Sequence, residues 1–390
     1  MSRILILGGG FAGITAAELL SEGAAAEHEI TIVPASRKLT FFPALVPMVF
    51  GDFLPEELRT DIVASLHERK VRFIEGEVLK IDPVSRNVRI TGDDVDGDLR
   101  YDYLLIAIGR RLATETVPGF FEHAHHLLGI NAAIRFKHAV SEFKAGSIVV
   151  GLCPGSSLPV PVCESALALA DRFKAEIGEG RVSVTAVFPE TLEQGLAGTG
   201  LFRQVEKNLQ RKGVRLVENF QIGRVEKASL FSADEQELSF GLSLLVPPFR
   251  GQTAVQELGP PEEEEGFAVV NSLMQIEGSE RIYAAGDIIA LDGPRFGYLA
   301  MRQAKVAAAN ILIELSGEKP SVEYTHELAW ILGEEYTDPH FFHYGVWDET
   351  LRDFDEDALL GIARRVRERY GHIRSERNGG NDASARSGSA

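Results

Sequence analysis

One turn near the N-terminus leaves this chain few folds to choose from. In "RILILGGGFAGITAAELL" an apolar strand runs into Gly8, Gly10 and Gly13 at the spacing G-x-G-x-x-G, and a helical pattern follows at once. That context, strand before and helix after, lifts the motif above chance. The first glycine makes the tight turn and the second lets backbone approach a pyrophosphate. The third packs helix against strand, and the helix N-terminus, opening at Phe11 and Ala12, then faces the anion.

The rest of the chain repeats this alternation. "HEITIVP" reads as a second strand, "VRFIEGEVLKIDPVSRNVRIT" as a pair of strands, and "DYLLIAIG" as a buried strand ending at Gly109. Near Val117-Pro118-Gly119 the chain enters a second unit, in which "SIVVGL", "VSVTAVF", "VRLVEN" and "SLLVPP" are strands. "RIYAAGD" and the helical "YLAMRQAKVAAANILIEL" return it to the first. Strands alternating with helices predict an α/β fold with two tandem Rossmann-like domains built on parallel sheets. The expected boundaries are 1–116 with 266–316, then 117–265, a small C-terminal region at 317–373, and a disordered low-complexity tail at 374–390.

A carboxylate about twenty residues beyond such a glycine turn normally grips ribose hydroxyls. Here Pro34 stands in its place, which leaves Ala35, Ser36, Arg37 and their backbone for that task. "RIYAAGD" sets Gly286 and Asp287 after a strand and just before a helix, where a carboxylate can take a ribityl hydroxyl. The fingerprint, "LLIAIG" and this Gly-Asp together resemble the three landmarks of flavoproteins with two dinucleotide-binding domains, over roughly residues 1 to 315. The usual middle landmark is Ala-Thr-Gly, and Ile108 replaces the threonine. The resemblance implies FAD, held at Gly8, Gly10, Phe11, Ala12 and Gly13, at Pro34 to Arg37, at Val78, at Ala107 and Gly109, and at Gly286 and Asp287.

"VPASRKLTFFPALVPMVFGDF", "LLVPPFRGQTAV" and "DGPRFGYLAMRQAKVAAANI" narrow this further. They resemble the sulfide:quinone oxidoreductases and flavocytochrome c sulfide dehydrogenases, with Arg295 where those carry lysine. The family implies electrons passing from a reduced sulfur species through flavin to a quinone. It also implies attachment to a membrane through C-terminal helices. "EDALLGIARRVRERYGHIR" suits that: Leu359, Ile362, Val366, Tyr370 and Ile373 make an apolar stripe on a basic helix from about 355 to 373. The same stripe suits packing on the protein itself.

The second unit departs from a dinucleotide cradle. Gly151 is followed by "LCPGSSLPVPVCESA", in which Pro154, Pro159 and Pro161 remove amide donors that a pyrophosphate needs. Pro189 stands near the strand end where a ribose-binding acid is expected, with Glu190 its only acidic neighbour. The family resemblance makes Cys163 the cysteine delivered to the flavin, and a helix start would favour its thiolate. The bland alternative is a small buried hydrophobe. The family's second cysteine has no counterpart near "VEYTHELAWILG", and its glutamate farther along the helix is replaced by Leu169. Two ways out remain: Cys153 pairs with Cys163, or Cys163 works alone with His326 as proton donor.

Composition closes off other classes. A net charge of −17 over 390 residues excludes a nucleic-acid binder. The longest apolar runs fall short of a transmembrane span, and "MSRILILGGG" enters a strand at once without a signal peptide. With only two cysteines, the expectation is a cytoplasmic protein, associated with the membrane's cytoplasmic face or free of it, with homo-oligomerisation left open. No metal is expected: "HAHH" at 123–126 lacks a further ligand type and reads as a polar loop. Two other readings stand beside the leading one. They are an NADH:quinone oxidoreductase and a non-catalytic FAD-binding redox sensor.

Overall fold

The computed structural model describes residues 1–51, 53–93, 95–196, 201–258, 266–291 and 295–324. His326, the 355–373 helix and the 374–390 tail lie outside the described residues, as does most of the 317–373 region.

Among the described residues, nine strands form two parallel sheets. They are β1 (Arg3–Leu7), β2 (Glu29–Val33), β3 (Arg72–Phe73), β4 (Tyr103–Ile106), β5 (Gly146–Leu152), β6 (Val182–Val187), β7 (Val214–Val217), β8 (Leu242–Val246) and β9 (Ile282–Ala284). The first sheet runs β9-β4-β1-β2-β3 and the second β7-β6-β5-β8. Every residue of β4 and β8 is buried, as strands covered on both faces must be. The fold is therefore the expected α/β pair of Rossmann-like sheets. One expectation needs correcting. After β3 the chain makes three antiparallel strands, Glu77–Asp82, Asn87–Gly92 and Val95–Arg100, where the sequence suggested fewer. The missed strand, "VDGDLR", has no buried residue among those described, so its pattern carries little apolar signal.

Three helices position the segments at the sheet edges: α1 (Phe11–Ala24), α2 (Pro159–Arg172) and α3 (Gly297–Leu315). α1 and α3 pack on the first sheet with Ile4, Ile6, Ile106, Ala16, Ala304 and Ile311, all 1 % exposed or less. A second core fills the space between α2, the second sheet and the segment Phe41–Leu58 of the first unit. Phe11 touches both cores and meets Phe41 edge-on at 5.9 Å, so the start of α1 is fixed from two sides. A third core lies on the opposite face of the second sheet.

α3 also anchors the chain beyond its C-terminus. Asn310 has no exposed surface, yet its amide is saturated. It donates to Leu273 O (3.0 Å) and Val322 O (2.8 Å) and accepts from Ser321 N–H (3.0 Å) and Val322 N–H (2.9 Å). A buried amide with every bond made fixes one register for residues 321–322.

Candidate active site

In-register pairing of the first sheet gathers four segments at one edge. Leu7 lies opposite both Val33 and Ile106, and Ile106 opposite Ala284. The residues just after each of them therefore meet beyond the carboxyl ends of the strands. β1 is flanked by β2 and β4, so the connections part there in opposite directions, which is where open α/β sheets bind ligands.

The glycine turn is built as its spacing demands. Gly8 has φ +103, and a Cβ there would lie 2.1 Å from Ala107 O. A Cβ on Gly13 would lie 2.0 Å from Gly8 O. These two glycines are needed for packing. Gly10 is different: it caps α1 without a side-chain hydrogen bond, and a Cβ there would meet nothing within 4 Å. The open helix N-terminus in front of it can take a phosphate. Gly109, with φ +65, also faces open space.

Pro34 is buried against Gly9, where a Cβ would come within 2.4 Å of it. Its carbonyl accepts from Gly76 N–H at 2.9 Å, which brings the strand carrying Val78 alongside. Ala35, Ser36 and Arg37 are exposed. Ser36 Oγ accepts from Lys38 N–H at 3.1 Å, and Arg37 is paired with Asp61 at 2.8 Å while its N–H reaches Glu75 at 3.1 Å. Sequence reasoning passed over Glu75. It is an acid brought to this edge from β3's end rather than from β2's.

On the other side, Gly286 has φ +85 and sits against Ala12. Gln303 Oε1, from α3, accepts its N–H at 2.8 Å in a buried bond. One carboxylate oxygen of Asp287 forms an ion pair with Arg110 Nε at 3.2 Å. A small opening lies here between Gly286, Asp287, Leu291, Arg295, Phe296 and Leu299. The acceptor oxygen, the open glycine and the uncapped helix start together fit the pyrophosphate and ribityl chain of FAD.

The second unit behaves differently at the equivalent edge. The segment Cys153–Leu158 leaves β5 and folds back: Phe249 N–H donates to Gly155 O at 3.1 Å and Arg295 N–H to Ser157 O at 3.0 Å. α2 then starts at Pro159 with Pro161 two positions on, and Pro159, Val160 and Val162 are buried. Of the donors a helix N-terminus normally leaves open, two are absent and the others are covered.

The cysteine expectations need correction. Cys163 lies inside α2 and is 3 % exposed, and burial pushes its thiol up to about 12, with the neighbouring Glu164 adding to the shift. Desolvation opposes the dipole of the helix, so burial works against the thiolate expected from its position. Cys153 is also a free, buried thiol raised by burial. The expected pairing fails on parity. Ile148, Val150 and Leu152 face α2, whereas Val149 and Cys153 face the third core.

Glu164, next in the chain to Cys163, is the unusual group. It is 4 % exposed, burial holds its carboxyl well above the usual carboxylate range, and Oε1 has no hydrogen-bond partner among the described residues. Ser156 and Ser165 likewise carry buried hydroxyls without partners among the described residues. The signal was available: an acid in an otherwise apolar stretch, "PVPVCESALALA". Among the described residues no cluster of three or more His, Cys, Asp or Glu could hold a metal. His126 of "HAHH" stacks on Phe120 at 5.9 Å.

A family model described as pyridine nucleotide-disulphide oxidoreductase matches residues 2–310. A demethylphylloquinone reductase of Synechocystis is 25 % identical over 337 residues, covering 81 % of this chain and 80 % of that protein. A type II NADH:quinone oxidoreductase of Staphylococcus haemolyticus is 25 % identical over 344 residues, 81 % of this chain and 83 % of its own length. Among solved structures, the sulfide:quinone oxidoreductase of Aquifex aeolicus shares the fold with a TM-score of 0.74. It is 22 % identical, with 81 % of this chain and 78 % of that chain covered.

Proposed function

The chain belongs to the pyridine nucleotide-disulphide oxidoreductase family, a family of FAD-binding flavoproteins, and on that premise we propose that it passes electron pairs through FAD to a quinone, taking them from a small reductant of the sulfide class. The quinone half draws support from the two relatives named for quinone reduction. The donor half rests on one observation: the N-terminus of α2 has lost its donors to Pro159 and Pro161 and is buried. A nicotinamide dinucleotide has no anchor for its phosphates at that edge.

Bound FAD supplies a two-electron carrier. The chain's own residues do the rest. The start of α1 with Gly10 would receive the pyrophosphate, and Asp287 would accept from the ribityl chain. Quinone reduction takes up two protons with two electrons, and Glu164, whose carboxyl burial holds well above the usual carboxylate range, is the candidate proton carrier. Cys163, a thiol in the core, takes no part in sulfur chemistry, so the donor meets the flavin directly. No described helix is long and apolar enough to cross a membrane.

The NADH:quinone reading is favoured by the names of the relatives and opposed by α2. The deciding experiment is anaerobic. Sulfide, NADH or NADPH is added to separate samples of the holoprotein, flavin absorbance is monitored, and a short-chain quinone is then added. Bleaching by sulfide alone, reversed by quinone, is expected. Bleaching by micromolar NADH would overturn the donor assignment, and bleaching by neither would leave a flavoprotein without this chemistry.

A further inference from the structure

Arg110 directly follows Gly109 at the cofactor edge, and its side chain is 9 % exposed. Its guanidinium lies over the Phe249 ring at 3.8 Å and meets Asp287 at 3.2 Å. Neither terminal nitrogen hydrogen-bonds a described residue. Burial works against its charge and the nearby Arg295 guanidinium adds to that, while Asp287 opposes both. A buried cation with a single carboxylate partner is costly unless that pairing serves a purpose. The stack on Phe249 joins the two units, because Phe249–Arg250 pairs antiparallel with Arg111–Leu112 and Phe249 N–H bonds Gly155 O in the proline loop.

We propose that Arg110 is a positioning residue for the cofactor. It grips one oxygen of Asp287, so that the other stays fixed toward the ribityl chain of FAD, and its own place is set by Phe249 of the second unit. The proposal rests on FAD as cofactor and is independent of donor and acceptor. A planar guanidinium does this better than an ammonium, since stacking fixes its plane while Nε reaches the carboxylate. The arrangement makes cofactor retention depend on a residue of the unit that has no dinucleotide cradle.

The test measures the FAD dissociation constant from the fluorescence of released flavin, and the midpoint potential, in Arg110→Met, Arg110→Lys, Asp287→Asn and the double variant. Losing the cation paired with Asp287 should weaken FAD roughly tenfold to a hundredfold in Arg110→Met, with partial rescue in Arg110→Lys. The double variant should be no worse than Asp287→Asn alone, because Arg110 acts through that carboxylate. Phe249→Leu removes only the stack and should weaken FAD severalfold, which carries the test if Arg110→Met does not fold. Wild-type affinity in Arg110→Met or in Phe249→Leu would overturn the proposal, and so would additive losses in the double variant.

Discussion

Cys153 and Cys163 lie on opposite faces of one parallel sheet. Cys153 continues the face of β5 that carries Val149, and Cys163 packs with Ile148, Val150 and Leu152 on the other. A bond between them would have to pass through the strand that separates them. With its thiol pushed up to about 12 by burial, Cys163 stays protonated at pH 8. Native protein should therefore resist thiol reagents at pH 8 and react at both cysteines once unfolded in guanidinium, as counted by mass spectrometry. Cys163→Ser should lose about 1–2 kcal/mol of stability for a buried hydroxyl and keep its flavin reduction. Loss of that reduction in a folded variant would restore a chemical role to the thiol.

Glu164 predicts a pH dependence of the opposite sign to an ordinary acidic group. Burial holds its carboxyl well above the usual value of 4.5 that it takes when unfolded. Above that value the folded state binds the extra proton, so stability is greatest at low pH and falls as pH rises through the window. The slope is at most about 1.4 kcal/mol per pH unit. Glu164→Gln should flatten this part of the melting profile and, if the carboxyl supplies protons, slow quinone reduction more than flavin reduction. An unchanged profile would mean that Glu164 is solvated or paired in solution.

Gly10 and Gly13 should separate folding from cofactor binding. Gly13→Ala drives a Cβ onto Gly8 O and should cost about 3 kcal/mol. Gly10→Val meets open space from an unstrained backbone, so its apoprotein should melt within about 2 °C of the parent. It should nevertheless purify without yellow colour. Retained flavin in Gly10→Val would place the phosphates elsewhere.

Gln303→Leu leaves the buried N–H of Gly286 without an acceptor, at a cost of about 1–3 kcal/mol. Urea unfolding of apoprotein and holoprotein should show a larger loss for the holoprotein, because the same turn carries Asp287. Equal losses would make Gln303 purely structural.

Much of this was legible in the sequence. Gly8, Gly10 and Gly13 announced the turn because each has a steric or binding reason to lack a side chain, and "RIYAAGD" showed the opposite wall. The prolines of the second loop could be read directly, since a missing N–H is a property of the residue itself. The cysteines were misjudged because position on a helix was visible and burial was not, and burial dominates a thiol's ionisation. Glu164 and Arg110 were passed over for a related reason. Their significance lies in what surrounds them, an apolar core and a phenylalanine from a distant part of the chain, and neither follows from local spacing.

α3 holds the chain at two points along its length, Gln303 gripping Gly286 and Asn310 gripping residues 321–322, and Gln303 Nε2 also reaches the Tyr324 hydroxyl at 3.5 Å. In mechanical terms the helix is a mooring. A tug arriving along the backbone from beyond Tyr324 is taken up first at Tyr324, whose N–H donates to Ser272 O at 2.7 Å, and then at Asn310. Whatever passes it travels through a rigid rod to the turn beside Asp287. Anything that pulls on the end of this protein therefore pulls, through one helix, on its grip on the flavin.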